Sequence, residues 1–124
     1  MSHYSQKIGK WGEKEAEAYL SEKGYHILFK NWRAERGDID IIALNNNCLV
    51  FVEVKGGSSA KYGPPELRLT NNKKRQMRKL ATLFLAGTEA LDIEYEFCRF
   101  DVVVIDGHQN KFEIRHYENA FLVS

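Results

Sequence analysis

The chain has 124 residues, with 18 Lys and Arg against 17 Asp and Glu and a formal net charge of +1. That length predicts a single domain over residues 1–124 with one hydrophobic core, and a net charge so close to zero says nothing about partners. The opening MSHYSQKIGK lacks the apolar segment of a signal peptide, no apolar run approaches the ~20 residues of a membrane helix, and the two distant cysteines, Cys48 and Cys98, match no metal spacing, so the expectation is a cytoplasmic protein with reduced thiols and no membrane partner.

Residues 5–23 are predicted helical. Ile8, Gly12, Ala16, Tyr19 and Leu20 recur at helical spacing, and Gly24 follows as a stop. YHILFKNW (25–32) reads as a first strand and RAERG as a turn. DIDIIAL (38–44) and LVFVEVK (49–55) are β-branched, alternate in polarity and flank an Asn-rich turn, which predicts a hairpin. GGSSAKYGPP (56–65) reads as a loop. Thr70 is placed to cap a helix running to about residue 86, with Met77, Leu80, Ala81, Phe84 and Leu85 as its apolar stripe. FCRFDVVVI (97–105) is predicted as a central strand, DGHQN (106–110) as a loop and KFEIRHY (111–117) as a short edge strand. The order α-β-β-β-α-β-β predicts an α/β fold with a mixed sheet.

The hairpin carries charges where a buried strand would stay apolar. Asn tolerates the positive φ of a tight turn, so a two-residue turn at Asn46-Asn47 is favoured. It sets Leu44 opposite Leu49, Ile42 opposite Phe51, Asp40 opposite Glu53 and Asp38 opposite Lys55. The other face becomes Ile39, Ile41 and Ala43 against Val54, Val52 and Val50, wholly apolar. A one-residue slip would set Asp40 against Val52, and the hydrophobic pattern rejects it. Opposed residues have Cβ atoms about 4.5–5.5 Å apart, so Asp40 and Glu53 are expected as neighbours, with Lys55 one pair away. Two adjacent carboxylates repel unless a cation sits between them. Mg²⁺ is commonly held by one or two carboxylates together with waters and phosphate oxygens. The pattern therefore points to a metal and phosphate site on rigid strands. No rival chemistry is visible: the four histidines are scattered, and neither a nucleophile elbow nor a nucleotide-binding glycine loop is present.

Asp40, the Glu53-Val54-Lys55 tripeptide thirteen residues on, and a preceding helix with a glutamate resemble the PD-(D/E)XK nuclease superfamily, whose core is α-β-β-β-α-β. More narrowly, GKWGEKEAEAYLSEKGYHILFKNWRAERGDIDIIA, then LVFVEVK, RFDVVVI and ENAF resemble the YraN-like family of small bacterial proteins, over residues 8–121. The resemblance implies a restriction-endonuclease-like fold with a short extra C-terminal strand, and metal-dependent hydrolysis of DNA phosphodiester bonds. Asp40 and Glu53 would ligate Mg²⁺ or Mn²⁺, with the Val54 carbonyl as a backbone ligand. Lys55 would orient or polarise the attacking water. Glu13 would sit beside the metal; helical spacing alone does not choose it, since Glu15 lies closer to the middle of the apolar stripe, and the resemblance makes the choice. Asp38 stands where the narrower family usually has Glu, as a surface charge, a partner for Lys55 or a stand-in ligand. Gly56-Gly57 replaces the small residue and Arg that often follow the lysine, which removes one phosphate contact. Asp101 belongs to the family pattern and is expected to bond Arg99 or a nearby loop. Relatives on this fold often cut as dimers, so a homodimer is an expectation.

Substrate contact is expected from RLTNNKKRQMRK (68–79), which holds six basic residues and no acidic one. Arg75 and Lys79 fall opposite the apolar stripe, facing solvent, and Lys73 falls on the stripe's side, towards the cleft. Lys74 and Arg78 complete the patch. Such a patch on an otherwise balanced chain suits a phosphate backbone, and nothing resembles a base-reading element. Two readings remain open: a DNA nuclease, acting on branched or damaged forms as some relatives on this fold do, or a nucleic-acid-binding module that kept the fold without efficient catalysis.

Overall fold

The computed structural model describes residues 9–57 and 69–121. Residues 5–8 of the expected first helix, the loop beyond Gly57 and Arg68 lie outside them. In chain order the elements are α1 (Lys10–Glu22), β1 (His26–Ala34), β2 (Gly37–Asn45), β3 (Cys48–Gly57), α2 (Asn71–Ala86), a 3-10 turn (Thr88–Ala90), β4 (Phe97–His108) and β5 (Lys111–Phe121). The sheet runs β1-β2-β3-β4-β5, with β3 and β4 parallel and the other neighbours antiparallel. A parallel neighbour needs a crossover, and α2 lies within it.

The helices cover the two faces of the sheet. Ala16 and Leu20 of α1 pack with Val50, Val52, Val54, Val103 and Ile105, while Met77, Leu80, Ala81 and Phe84 of α2 pack with Ile42, Leu49, Phe51 and Phe100. β3 and β4 are buried on both sides, which explains their nearly unbroken apolar runs. Thr70 caps α2 as its spacing predicts, accepting from the Lys73 N–H at 3.1 Å, and Gly24 follows α1 with φ +92°.

The last hairpin departs from expectation. DGHQN is not a five-residue loop: β4 continues to His108 and β5 begins at Lys111, leaving two turn residues. Gly107 permits this, at φ +132°, because a Cβ there would overlap the Lys111 carbonyl. Nor is β5 short. It runs 11 residues to Phe121, whose ring stacks on Phe100 with centroids 4.6 Å apart.

Candidate active site

The hairpin closes at Asn46, with φ +57°, and pairs Asn45 with Cys48, Leu44 with Leu49, Ala43 with Val50, Ile42 with Phe51 and Ile41 with Val52. This is the register that the hydrophobic pattern selects. The ladder then stops one residue short of Asp40. The Val54 N–H donates to the Asp40 carboxylate (Oδ2, 2.8 Å), so a side chain takes the place of the next main-chain acceptor. β2 meanwhile stays paired to β1, through Trp32 with Ile39 and Arg33 with Asp38.

Face alternation breaks at the same level. Ile39 packs in the α2-side core with Ile42, and not with Ile41 and Ala43 as strict alternation requires. Phe29 and Trp32 of β1 likewise share the α2 side. Asn31, between them and level with Asp40, has φ +52°. Asn adopts that conformation more readily than other side-chain-bearing residues, and it lets β1 turn over at the level where β2 does. The expected Asp40–Glu53 and Asp38–Lys55 ladder pairs are therefore not formed; Asp38 pairs with Arg33 instead.

Asp40 and Glu53 nevertheless meet. Burial, the negative charge of Glu53 and a hydrogen bond between the two acids hold the Asp40 carboxyl well above the usual carboxylate range, against the Val54 N–H donation that lowers it. Glu53 is 6% exposed and its Oε2 lies 3.4 Å from Lys73 Nζ, so Lys73 does face the site. Lys55, also 6% exposed, follows Glu53 on the same side of β3. Asp40 and Val54 line a cavity of about 200 Å³ that Glu13 borders from α1. Among the described residues no three acidic, His or Cys side chains converge on one point, so Glu13 is near without closing a three-acid cluster. The donor set is two neighbouring carboxylates beside a strand backbone, with the Lys73 ammonium against Glu53. Hard oxygen donors of this kind suit Mg²⁺ or Mn²⁺ and not a thiolate-seeking metal.

Asp40→Asn separates fold from function here. Its amide oxygen still accepts from Val54, and the buried charge is gone. A raised carboxyl pKa opposes folding once the pH climbs past the unfolded value near 3.9, and fully so above the folded value. The variant is expected to melt a few degrees higher at pH 7, worth about 1 kcal/mol after solvent screening. It is expected to gain nothing near pH 4 and to bind divalent metal worse. Thermal melts at the two pH values and calorimetric metal titration check this.

The remaining cations of α2 point away from the carboxylates. Lys79 pairs with Glu35 at 2.9 Å and Arg75 bonds Asn72, both on the exposed side. Lys74 and Arg78 lie over the Phe121 ring, 5.9 and 5.4 Å from its centroid.

Asp101 sits apart, fully buried. It accepts from Arg99 Nε at 2.9 Å, His116 Nε2 at 2.7 Å, Tyr25 OH at 3.1 Å and the Asn119 N–H at 3.0 Å. Burial raises its carboxyl, but the bonds from His116, Arg99 and Asn119 outweigh that and hold it below the usual range. Lys23 Nζ lies 3.3 Å from His116 Nδ1. An ammonium only donates, so Nδ1 accepts and the ring proton sits on Nε2, towards Asp101. With four donors on its lone pairs, Asp101 has none left for a metal. It bonds β5 where the β4–β5 register slips after Phe100. Of its partners only Arg99 is close in sequence, so nothing in the chain's pattern marks Tyr25, His116 or Asn119.

A profile described as Uncharacterised protein family UPF0102 matches residues 12–105. The chain belongs to this family. A UPF0102 protein of Thermodesulfovibrio yellowstonii is 45% identical over 115 residues, covering 93% of this chain and 96% of the relative. One from Geobacter metallireducens is 41% identical over 121 residues, with 98% and 97% covered, and one from Clostridium acetobutylicum is 41% identical, with 99% and 100% covered. The UPF0102 match supports the narrower, YraN-like resemblance and spans α1 through most of β4, including Asp40, Glu53 and Lys55.

Proposed function

We propose that this UPF0102 protein is a metal-dependent nuclease of the PD-(D/E)XK kind that hydrolyses DNA phosphodiester bonds in the cytoplasm. One observation carries the reading: Asp40 and Glu53 come into hydrogen-bond contact where β2 and β3 part, with buried Lys55 next on the strand. Asp40, Glu53 and the Val54 carbonyl would hold Mg²⁺ or Mn²⁺, and Glu13 would stand at the outer side. The metal, when bound, lowers the pKa of a water and neutralises phosphate oxygens. Lys55 holds a fixed positive charge where negative charge gathers during attack, at a site already desolvated by the sheet. The Val54 N–H fixes one Asp40 oxygen and leaves the other to the site. Cutting both strands of a duplex would engage two copies of the chain.

That no third acid joins the pair among the described residues supports a second reading, a DNA-binding module with weak or no catalysis. Calorimetric titration with Mn²⁺ followed by cleavage assays on duplex, single-stranded and branched DNA separates the two. Metal-dependent cleavage that stops with chelator supports the nuclease. Metal and DNA binding without cleavage of any form supports the module.

Both readings assign Arg75 and Lys79 to the DNA backbone. Their expected mark is sequence-independent. Arg75→Ala with Lys79→Ala weakens binding to all duplexes alike and flattens the log–log salt dependence by about 0.9 per lost contact. An unchanged slope returns both residues to a plain solvated face.

A further inference from the structure

The cavity beside Asp40 has a second wall that the nuclease reading leaves unused. Lys10, Glu13, Lys14 and Glu17 border it from α1, and Lys30 and Asn31 border it from β1. Lys30 is taken by Glu17, at 3.4 Å. Lys10 and Lys14 are exposed, and among the described residues neither makes an ion pair or side-chain hydrogen bond. This contrasts with α2, where Lys73 and Lys79 are both held by glutamates.

Placing these two lysines here costs the helix. They stand four apart, stacked on one face with like charges, which destabilises a helix. They also lie in its first two turns, at the end where the backbone dipole disfavours cations. Exchanging Lys14 with the neighbouring Glu15 would relieve the repulsion locally. Local rules broken without a compensating contact are a mark of functional positions.

The size of the cavity says what it takes. About 200 Å³ is below the range of pockets that enclose a drug-sized ligand. It has room for a phosphate group. Its floor is Asp40, Ile41 and Val54, so an anion held by the lysines lies directly against the carboxylate site.

We infer that Lys10 and Lys14 form a seat for a nucleic-acid backbone phosphate next to the Asp40–Glu53 centre. This rests on the nuclease reading and adds to it a grip on the α1 side, opposite the α2 patch. A phosphate seat positions the strand and reads no sequence. It also offers a contact in place of the arginine that Gly57 lacks.

The test is the affinity of the full chain for a short labelled duplex, in chelator so that cleavage is off, between about 50 and 200 mM salt. Lys10→Ala with Lys14→Ala is expected to weaken binding and to flatten the log–log slope by about 1.8, two contacts at about 0.9 each. Lys10→Arg with Lys14→Arg is expected to keep the slope. The alanine variant melts no lower than wild type, since it removes a repulsion. Independently, bound DNA is expected to protect both amines of the wild-type chain from acylation, read by mass spectrometry. A wild-type slope in the alanine variant, or amines that acylate equally with and without DNA, overturns the seat. If binding then still depends on Arg75 and Lys79, the nuclease reading stands without it. If wild type holds neither Mn²⁺ nor DNA, both fall.

Discussion

Glu53→Gln is expected to abolish Mn²⁺-dependent cleavage, and Lys55→Met to lower it by about 10²–10³ while leaving metal affinity intact. Glu53 supplies one of the two carboxylates that the described residues bring to the gap between β2 and β3, and a neutral amide there cannot replace a charged metal ligand. Lys55 is no ligand, because an ammonium has no lone pair to give. Its part is to face developing negative charge in a buried setting, and the loss of one such contact typically costs this much in rate. Both replacements keep side-chain volume, which matters because both positions are 6% exposed. Calorimetry with Mn²⁺ separates the two roles, and single-turnover cleavage reads the chemistry. If Lys55→Met loses metal affinity in step with Glu53→Gln, the lysine supports the site and not the reaction. If neither change touches an authentic wild-type activity, the centre lies elsewhere.

Asp101→Ala is expected to cost about 3–5 kcal/mol, the range for stripping one partner from a buried charged network. That is a large share of the 5–15 kcal/mol that holds a typical domain together, and it corresponds to a melting temperature lower by roughly 10–20 °C. The alanine leaves the Arg99 guanidinium, the His116 Nε2–H and the Asn119 N–H without their acceptor. Asp101→Asn keeps an acceptor and loses the charge, so its cost is smaller. The pH dependence has a definite sign. The folded carboxyl lies below the unfolded value near 3.9. Its contribution is therefore complete above that value and is lost as the pH falls through the folded one. Wild type is expected to destabilise steeply below about pH 4, and Asp101→Asn to show a shallower acid limb. Urea melts across pH 3–7 measure both. An alanine variant as stable as wild type would mean that water satisfies the cluster as well as the carboxylate does.

Residue order alone determined the strands and helices that carry the site. Period-two and period-3.6 patterning marked each element because burial on one face imposes it, and Asn46 with Thr70 marked a turn and a cap through local chemistry. The Asp40–Glu53 neighbourhood was legible for the same reason: only one register hides Val50, Val52 and Val54 opposite an apolar partner. Patterning counts faces, however, and not the point where a ladder ends. Only the tertiary structure decided that β3 leaves β2 at Ile41, because that depends on a carboxylate outcompeting a carbonyl for the Val54 N–H. Only it decided that β1 and β2 turn over at the level of Asn31, with Ile39 on the α2 side. The bond from Arg99 to Asp101 was legible in the sequence, but the rest of the Asp101 cluster was out of reach. Its other members are Tyr25, just before β1, and His116 and Asn119 of β5, up to 94 residues apart from Tyr25 to Asn119, and packing brings them together with no periodic trace in the chain. The cavity wall of Lys10 and Lys14 belongs to the same class. In the sequence they are two charges on a polar helix, and only the docking of α1 over the parting strands aims them at the floor that Asp40 occupies.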